Sequence, residues 1–147
     1  MTFDPIIVQK RLETLKDYLS FLEQFKHTDP NDFKEDRQLH GSAERFAQLS
    51  MECIADICSY ILARHFQTSP ESYALTILDL GKRKVISTDL SENVAKMMQF
   101  RNILVHDYIA LDRKLVHKHI LSLTSDAKLF LQEISEWLLK HVEEPKE

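Results

Sequence analysis

Apolar residues recur along this chain at alternating steps of four and three. That spacing limits the available folds more than any other feature. From Val8 one row runs through Leu12, Leu15, Leu19 and Leu22. A second runs Leu39, Ala43, Phe46, Ser50, Cys53, Ile57, Ile61 and predicts a long helix over about 33–67. A third, Val116, Ile120, Leu123, Ala127, Phe130, Ile134 and Trp137, predicts a last helix starting near Asp112. Such steps line one face of an α-helix, whereas a strand would alternate every second residue. Two glycines and four prolines in 147 residues are too few for a turn-rich β protein. The prolines fall where helices should begin or break: Asp4-Pro5 and Ser69-Pro70 read as N-cap and first helical residue, and Asp29-Pro30-Asn31-Asp32 as a break. A short helix over about 70–80 is expected to close on Gly81 as its C′ residue. Asp89 with Glu92 reads as a capping box opening another. The expectation is all-α: an antiparallel up-down bundle of four main helices plus one short one, forming a single domain over 1–147.

Several function classes recede. No run approaches the ~18 apolar residues of a membrane span, and the N-terminus lacks the basic-then-apolar pattern of a signal peptide. Cys53 and Cys58 match neither a C-x2-C metal spacing nor a redox pair, so they read as reduced thiols on a packed helix. A cytoplasmic protein without a membrane partner is expected. His117 and His119, two apart on a helix, face different directions and do not suggest a metal site. His27, His40, His65 and His141 read as surface residues, and Trp137 as core. Tyr18, Phe21, Phe25 and Tyr60 flank the apolar rows and read as core or interface rings. Charge is uneven. Residues 81–119 hold eight Lys/Arg against four acids, a net of +4, while the remainder, with 11 basic and 19 acidic residues, carries −8.

The fourth apolar row contains the anomaly. It runs Leu90, Val94, Met97, Arg101, Leu104, Tyr108, so an arginine occupies a position the pattern reserves for a hydrophobe. A guanidinium withdrawn from water needs a carboxylate, or a groove that an anion can enter. Glu44, Glu52 and Asp56 on the second long helix are the candidate carboxylates. Asn102 and His106 share a different helix face. Arg101 and His106 therefore converge only if the helix stops near His106 or a second copy of the chain completes a cleft. The Arg fork suits a phosphate, and an imidazole suits proton transfer near neutral pH. Together they meet the minimum for cutting RNA without a metal, the ribose 2′-oxygen attacking its own phosphorus. No clean metal-ligand set is present, and no cofactor is called for.

The stretch Arg101-Asn102-Ile103-Leu104-Val105-His106-Asp107-Tyr108 resembles the Arg, four residues, His, one residue, Tyr signature of HepT toxins of the HEPN superfamily. The resemblance implies an α-helical homodimer that acts as a ribonuclease at a shared cleft. It implies as partner an MntA-like nucleotidyltransferase antitoxin that silences the toxin by transferring AMP to the motif's tyrosine. Carried over, Arg101 holds the scissile phosphate, His106 acts as base or acid, Asn102 orients the phosphate or the His, and Tyr108 accepts AMP. Lys82, Arg83, Lys84, Arg113 and Lys114 would flank the cleft and attract RNA. The competing reading is a non-catalytic HEPN module that binds a nucleotide or accompanies a nucleotidyltransferase.

Overall fold

The computed structural model describes residues 2–106 and 112–141, with side chains for all of these except 105 and 106. The helices are α1 (Pro5–Leu22), α2 (Pro30–Glu35), α3 (Arg37–His65), α4 (Tyr73–Lys82), α5 (Thr88–His106) and α6 (Arg113–His141), with a 3-10 turn at Glu23–His27 after α1. No strand occurs among the described residues. α3 packs against α1, α4, α5 and α6 and forms the centre of the bundle. By length and composition α3 would suit a membrane crossing, but more than half of its most apolar stretch is buried in the bundle.

The predicted rows are the core. Val8, Leu12, Leu15, Leu19 and Leu22 are all buried, as is the whole α6 row from Val116 to Trp137. Each large side chain so buried stabilises the fold by about 1.5–3 kcal/mol. In α3, Leu39 and Phe46 are only partly buried and pack at the core's edge. Phe25 is fully buried, while Tyr18, Phe21 and Tyr60 are partly buried and pack against the core.

Helix boundaries depart from expectation where a side-chain oxygen competes with helix continuation. The helix expected over 33–67 is broken at Asp36, whose Oδ1 accepts from the amides of Gln38 (2.9 Å) and Leu39 (3.3 Å) and caps α3. The break separates α2, which carries Phe33 into the core against Phe25 and His117, with ring centroids 5.9 and 4.8 Å away. α4 is capped by Ser72, whose Oγ accepts from Leu75 N at 3.2 Å, and not by Ser69 ahead of Pro70. α5 is opened by Ser87, whose Oγ accepts from Leu90 N at 3.3 Å, with Asp89 inside the first turn. The Ser87 amide donates to Glu133 Oε1 of α6 at 2.6 Å, so the reciprocal half of the cap comes from another helix. Asp4 caps α1 as predicted, and α6 starts just after Asp112 as expected, with Asp112 Oδ1 accepting from Lys114 N at 3.1 Å.

Gly81 is not the C′ residue. It lies buried inside α4, and an added Cβ would run into the Ser91 side chain of α5. The left-handed position after α4 falls on Lys84, with φ 63°. Two histidines expected at the surface are packed instead: His65 lies 5.0 Å from Trp137 and 5.3 Å from Phe3, and His40 is half-buried beside Glu44. His117 is buried with Nε2 2.8 Å from the Phe25 carbonyl, anchoring the 3-10 turn to α6.

Candidate functional site

Along α5, Leu90, Val94 and Met97 are buried, and the next member of the row, Arg101, is only partly so. Its side chain keeps 26% of its exposure. Nη2 lies 3.5 Å from Glu52 Oε1 of α3, a loose single contact rather than a two-pronged pair. Nε is buried with no hydrogen-bond partner among the described residues. The guanidinium carbon stands 6.0 Å from the centre of the Tyr73 ring at the start of α4. Arg101 is thus neither sealed inside the bundle nor fully solvated. Of the three carboxylates suggested by sequence, only Glu52 reaches it among the described residues, because α3 and α5 cross there.

Arg101 and Asn102 both line a groove of about 430 Å³ between α4 and α5, with Ser59 of α3 at its edge. Ala95 and Met98 contribute apolar surface, and Glu71, Ser72, Tyr73 and Gln99 complete much of the rim. Glu52 is also held from its own helix, accepting from Gln48 Nε2 at 3.2 Å. One turn further back in this row is Glu44, whose Oε2 accepts from Arg113 Nε at 2.9 Å. Arg101 and Arg113 therefore dock on one polar row of α3, at residues eight apart and about 12 Å along the axis. His106 belongs to α5, five residues beyond Arg101 and so about 140° round the helix axis by backbone register. Its side chain, and all of Tyr108, lie outside the described residues.

The basic residues do not gather at one place. Lys114 is exposed beside Arg113 at the start of α6. Lys82, Arg83 and Lys84 occupy the end of α4 remote from Tyr73, about 14 Å along the axis. There Arg83 pairs with Asp79 at 3.3 Å and covers the Phe66 ring at 4.7 Å. Among the described residues, no three His, Cys, Asp or Glu side chains stand close enough to share a metal ion. Burial pushes both thiols up, Cys53 to about 11, with nearby Asp56 adding to the shift, and Cys58 further still. Sequence reasoning did not single out Tyr73. Its one available signal was an aromatic directly after the Ser72 cap.

The chain is an all-α helical bundle with a partly exposed arginine at one end of an α4–α5 groove. The chain superposes with a TM-score of 0.84 on the Bacillus subtilis cytosolic protein YutE, of unknown function, at 20% identity over 99% of both chains. With a tri-AMPylated Shewanella oneidensis HEPN toxin in complex with MNT antitoxin the TM-score is 0.79, at 28% identity over 88% of this chain and 97% of that one. Residues 15–134 match the model of the family described as Ribonuclease HepT-like, and the chain belongs to that family. It is 26% identical to the tRNA nuclease HepT of Aphanizomenon flos-aquae over 141 residues, 96% of each chain. It is 30% identical to the mRNA nuclease HepT of Shewanella oneidensis over 110 residues, 75% of this chain and 82% of the relative.

Proposed function

We propose that this protein is the toxin of a HEPN/MNT toxin–antitoxin pair: a cytoplasmic, metal-independent endoribonuclease working as a homodimer. One observation carries the reading. Arg101, in a chain of a ribonuclease family, holds a buried Nε that has no hydrogen-bond partner among the described residues, at the edge of an open groove. A buried guanidinium donor without an acceptor costs about 1–3 kcal/mol or more, and a phosphate entering the groove would supply that acceptor. The apolar exposure of Ile103, two residues on, fits a neighbouring subunit face.

In this reading His106 takes the proton of the ribose 2′-hydroxyl, and the 2′-oxygen forms its bond to phosphorus. The bond to the 5′-oxygen breaks, and an imidazolium returns a proton to that leaving oxygen. Arg101 neutralises the charge gathering on the non-bridging oxygens, and Asn102 orients the phosphate. The MntA-like antitoxin transfers AMP to Tyr108, placing a phosphate near Arg101 where RNA would otherwise bind. Arg113 and Lys114, on the same side of α3, extend the electrostatic track, while Lys82–Lys84 are too far along α4 to touch the same linkage. One relative is named a tRNA nuclease and another an mRNA nuclease, so both RNA classes belong in the assay.

His106→Ala should lower cleavage of tRNA or mRNA by about 10²–10⁴-fold while helicity and dimerisation persist. An equally active variant would remove His106 from the mechanism. Incubation with the antitoxin and ATP should add AMP to the wild type and not to Tyr108→Phe. An adduct located elsewhere by mass spectrometry would overturn that assignment.

A further inference from the structure

We propose that Tyr73 is the stacking platform for the base of the ribonucleotide whose phosphate Arg101 holds, so that the α4–α5 groove reads one base beside the cleaved linkage. The inference rests on the ribonuclease reading above and assigns its substrate subsite. Of the three described tyrosines, Tyr18 packs on Phe46 and Tyr60 on Phe3, each with ring centroids 5.7 Å apart. Tyr73 has no aromatic neighbour among the described residues and is 47% exposed. The Arg101 guanidinium carbon lies 6.0 Å from the centre of its ring. A nucleotide carries its phosphate and its base one ribose apart. A guanidinium and an aromatic face set side by side in one groove match those two ends.

The surroundings suit a base. Ala95 and Met98 offer an apolar surface, and the Gln99 and Asn102 amides and the Glu71 carboxylate supply donors and acceptors for a base edge. Tyr73 is also held in place. Ser72 Oγ accepts from Leu75 N at 3.2 Å, and Thr76 Oγ1 donates to the Ser72 carbonyl at 2.8 Å, so the first turn of α4 is tied from both sides. A ring on a fixed turn loses little freedom when a base stacks on it. Stacking of this kind tolerates any base, and the groove's polar rim then discriminates among them.

The test uses a 2′-O-methyl oligonucleotide, which cannot be cleaved, carrying 2-aminopurine. Wild-type protein should quench its fluorescence on binding. Tyr73→Ala should lose the quench and bind about 5–150-fold more weakly, whereas Tyr73→Phe should keep both. On cleavable RNA, Tyr73→Ala should raise KM more than it lowers kcat. Wild-type quench and affinity in Tyr73→Ala would overturn the proposal. So would conversion of that variant to a monomer, which would assign the ring to the subunit interface. If the wild type neither binds nor cleaves RNA, the ribonuclease reading itself falls.

Discussion

The thiols illustrate how burial decides reactivity at single residues. Cys58 is fully buried, and Cys53 Sγ donates to the Arg11 carbonyl at 3.3 Å. Desolvation disfavours the thiolate, the form that reacts with alkylating agents, in both. Iodoacetamide at pH 8 should therefore leave both residues unmodified in the folded protein and label both in urea, as counted by mass spectrometry. Rapid labelling of the native chain would show that α3 opens readily. The linkage has a definite sign. With folded-state values raised above the ordinary thiol value of 9.0, the unfolded chain loses its protons first. This contribution is fully present below about pH 9 and, for Cys53, is lost as pH rises from there through about 11. Arg101 was legible at the same scale because it interrupts a periodic row. Its partner Glu52 was legible only as one of three candidate carboxylates and Tyr73 not at all, because contacts between separate helices leave no local spacing to read.

At the scale of elements, Gly81 and Lys84 should respond in opposite directions. Helix propensity alone predicts that Gly81→Ala stabilises α4, by about 0.5–1 kcal/mol. The Ser91 side chain occupies the space a methyl would need, so α4 and α5 would have to separate. We expect Gly81→Ala to cost about 1–3 kcal/mol, read as a lower urea midpoint. An unchanged or raised midpoint would mean that the crossing is slack. Lys84 sits at φ 63°, with Val85 N donating to Leu80 O at 3.0 Å around it, the geometry of a helix end that favours glycine. Lys84→Gly should stabilise by about 0.5–1 kcal/mol. The sequence suggested that Gly81 would take this end, but a glycine is called for both by a close helix crossing and by a left-handed turn. Distinguishing the two requires knowing what α5 brings alongside. The same limit moved the caps. Rows of apolar residues place a helix face, but which of several Ser or Asp residues turns back to cap it depends on tertiary partners such as Glu133.

For the whole molecule, the question is how Arg101 and His106 meet. α5 is helical through His106, so the two positions lie about 140° apart around one axis. Arg101 faces the α4–α5 groove. The proposed homodimer resolves the geometry if each cleft takes its Arg101 from one copy and its His106 from the other. That arrangement predicts complementation between two dead variants. Homodimers of Arg101→Ala and of His106→Ala should both be inactive. A mixed dimer, isolated with two affinity tags, contains one cleft in which an intact Arg101 faces an intact His106. It should cut RNA at about half the wild-type rate, because symmetry leaves one of two equivalent sites whole. If each site were built within a single copy, every site in the mixed dimer would lack one residue. No cleavage by a stable mixed dimer would therefore place the chemistry inside one subunit and require α5 to bend or end near His106 to bring the two side chains together.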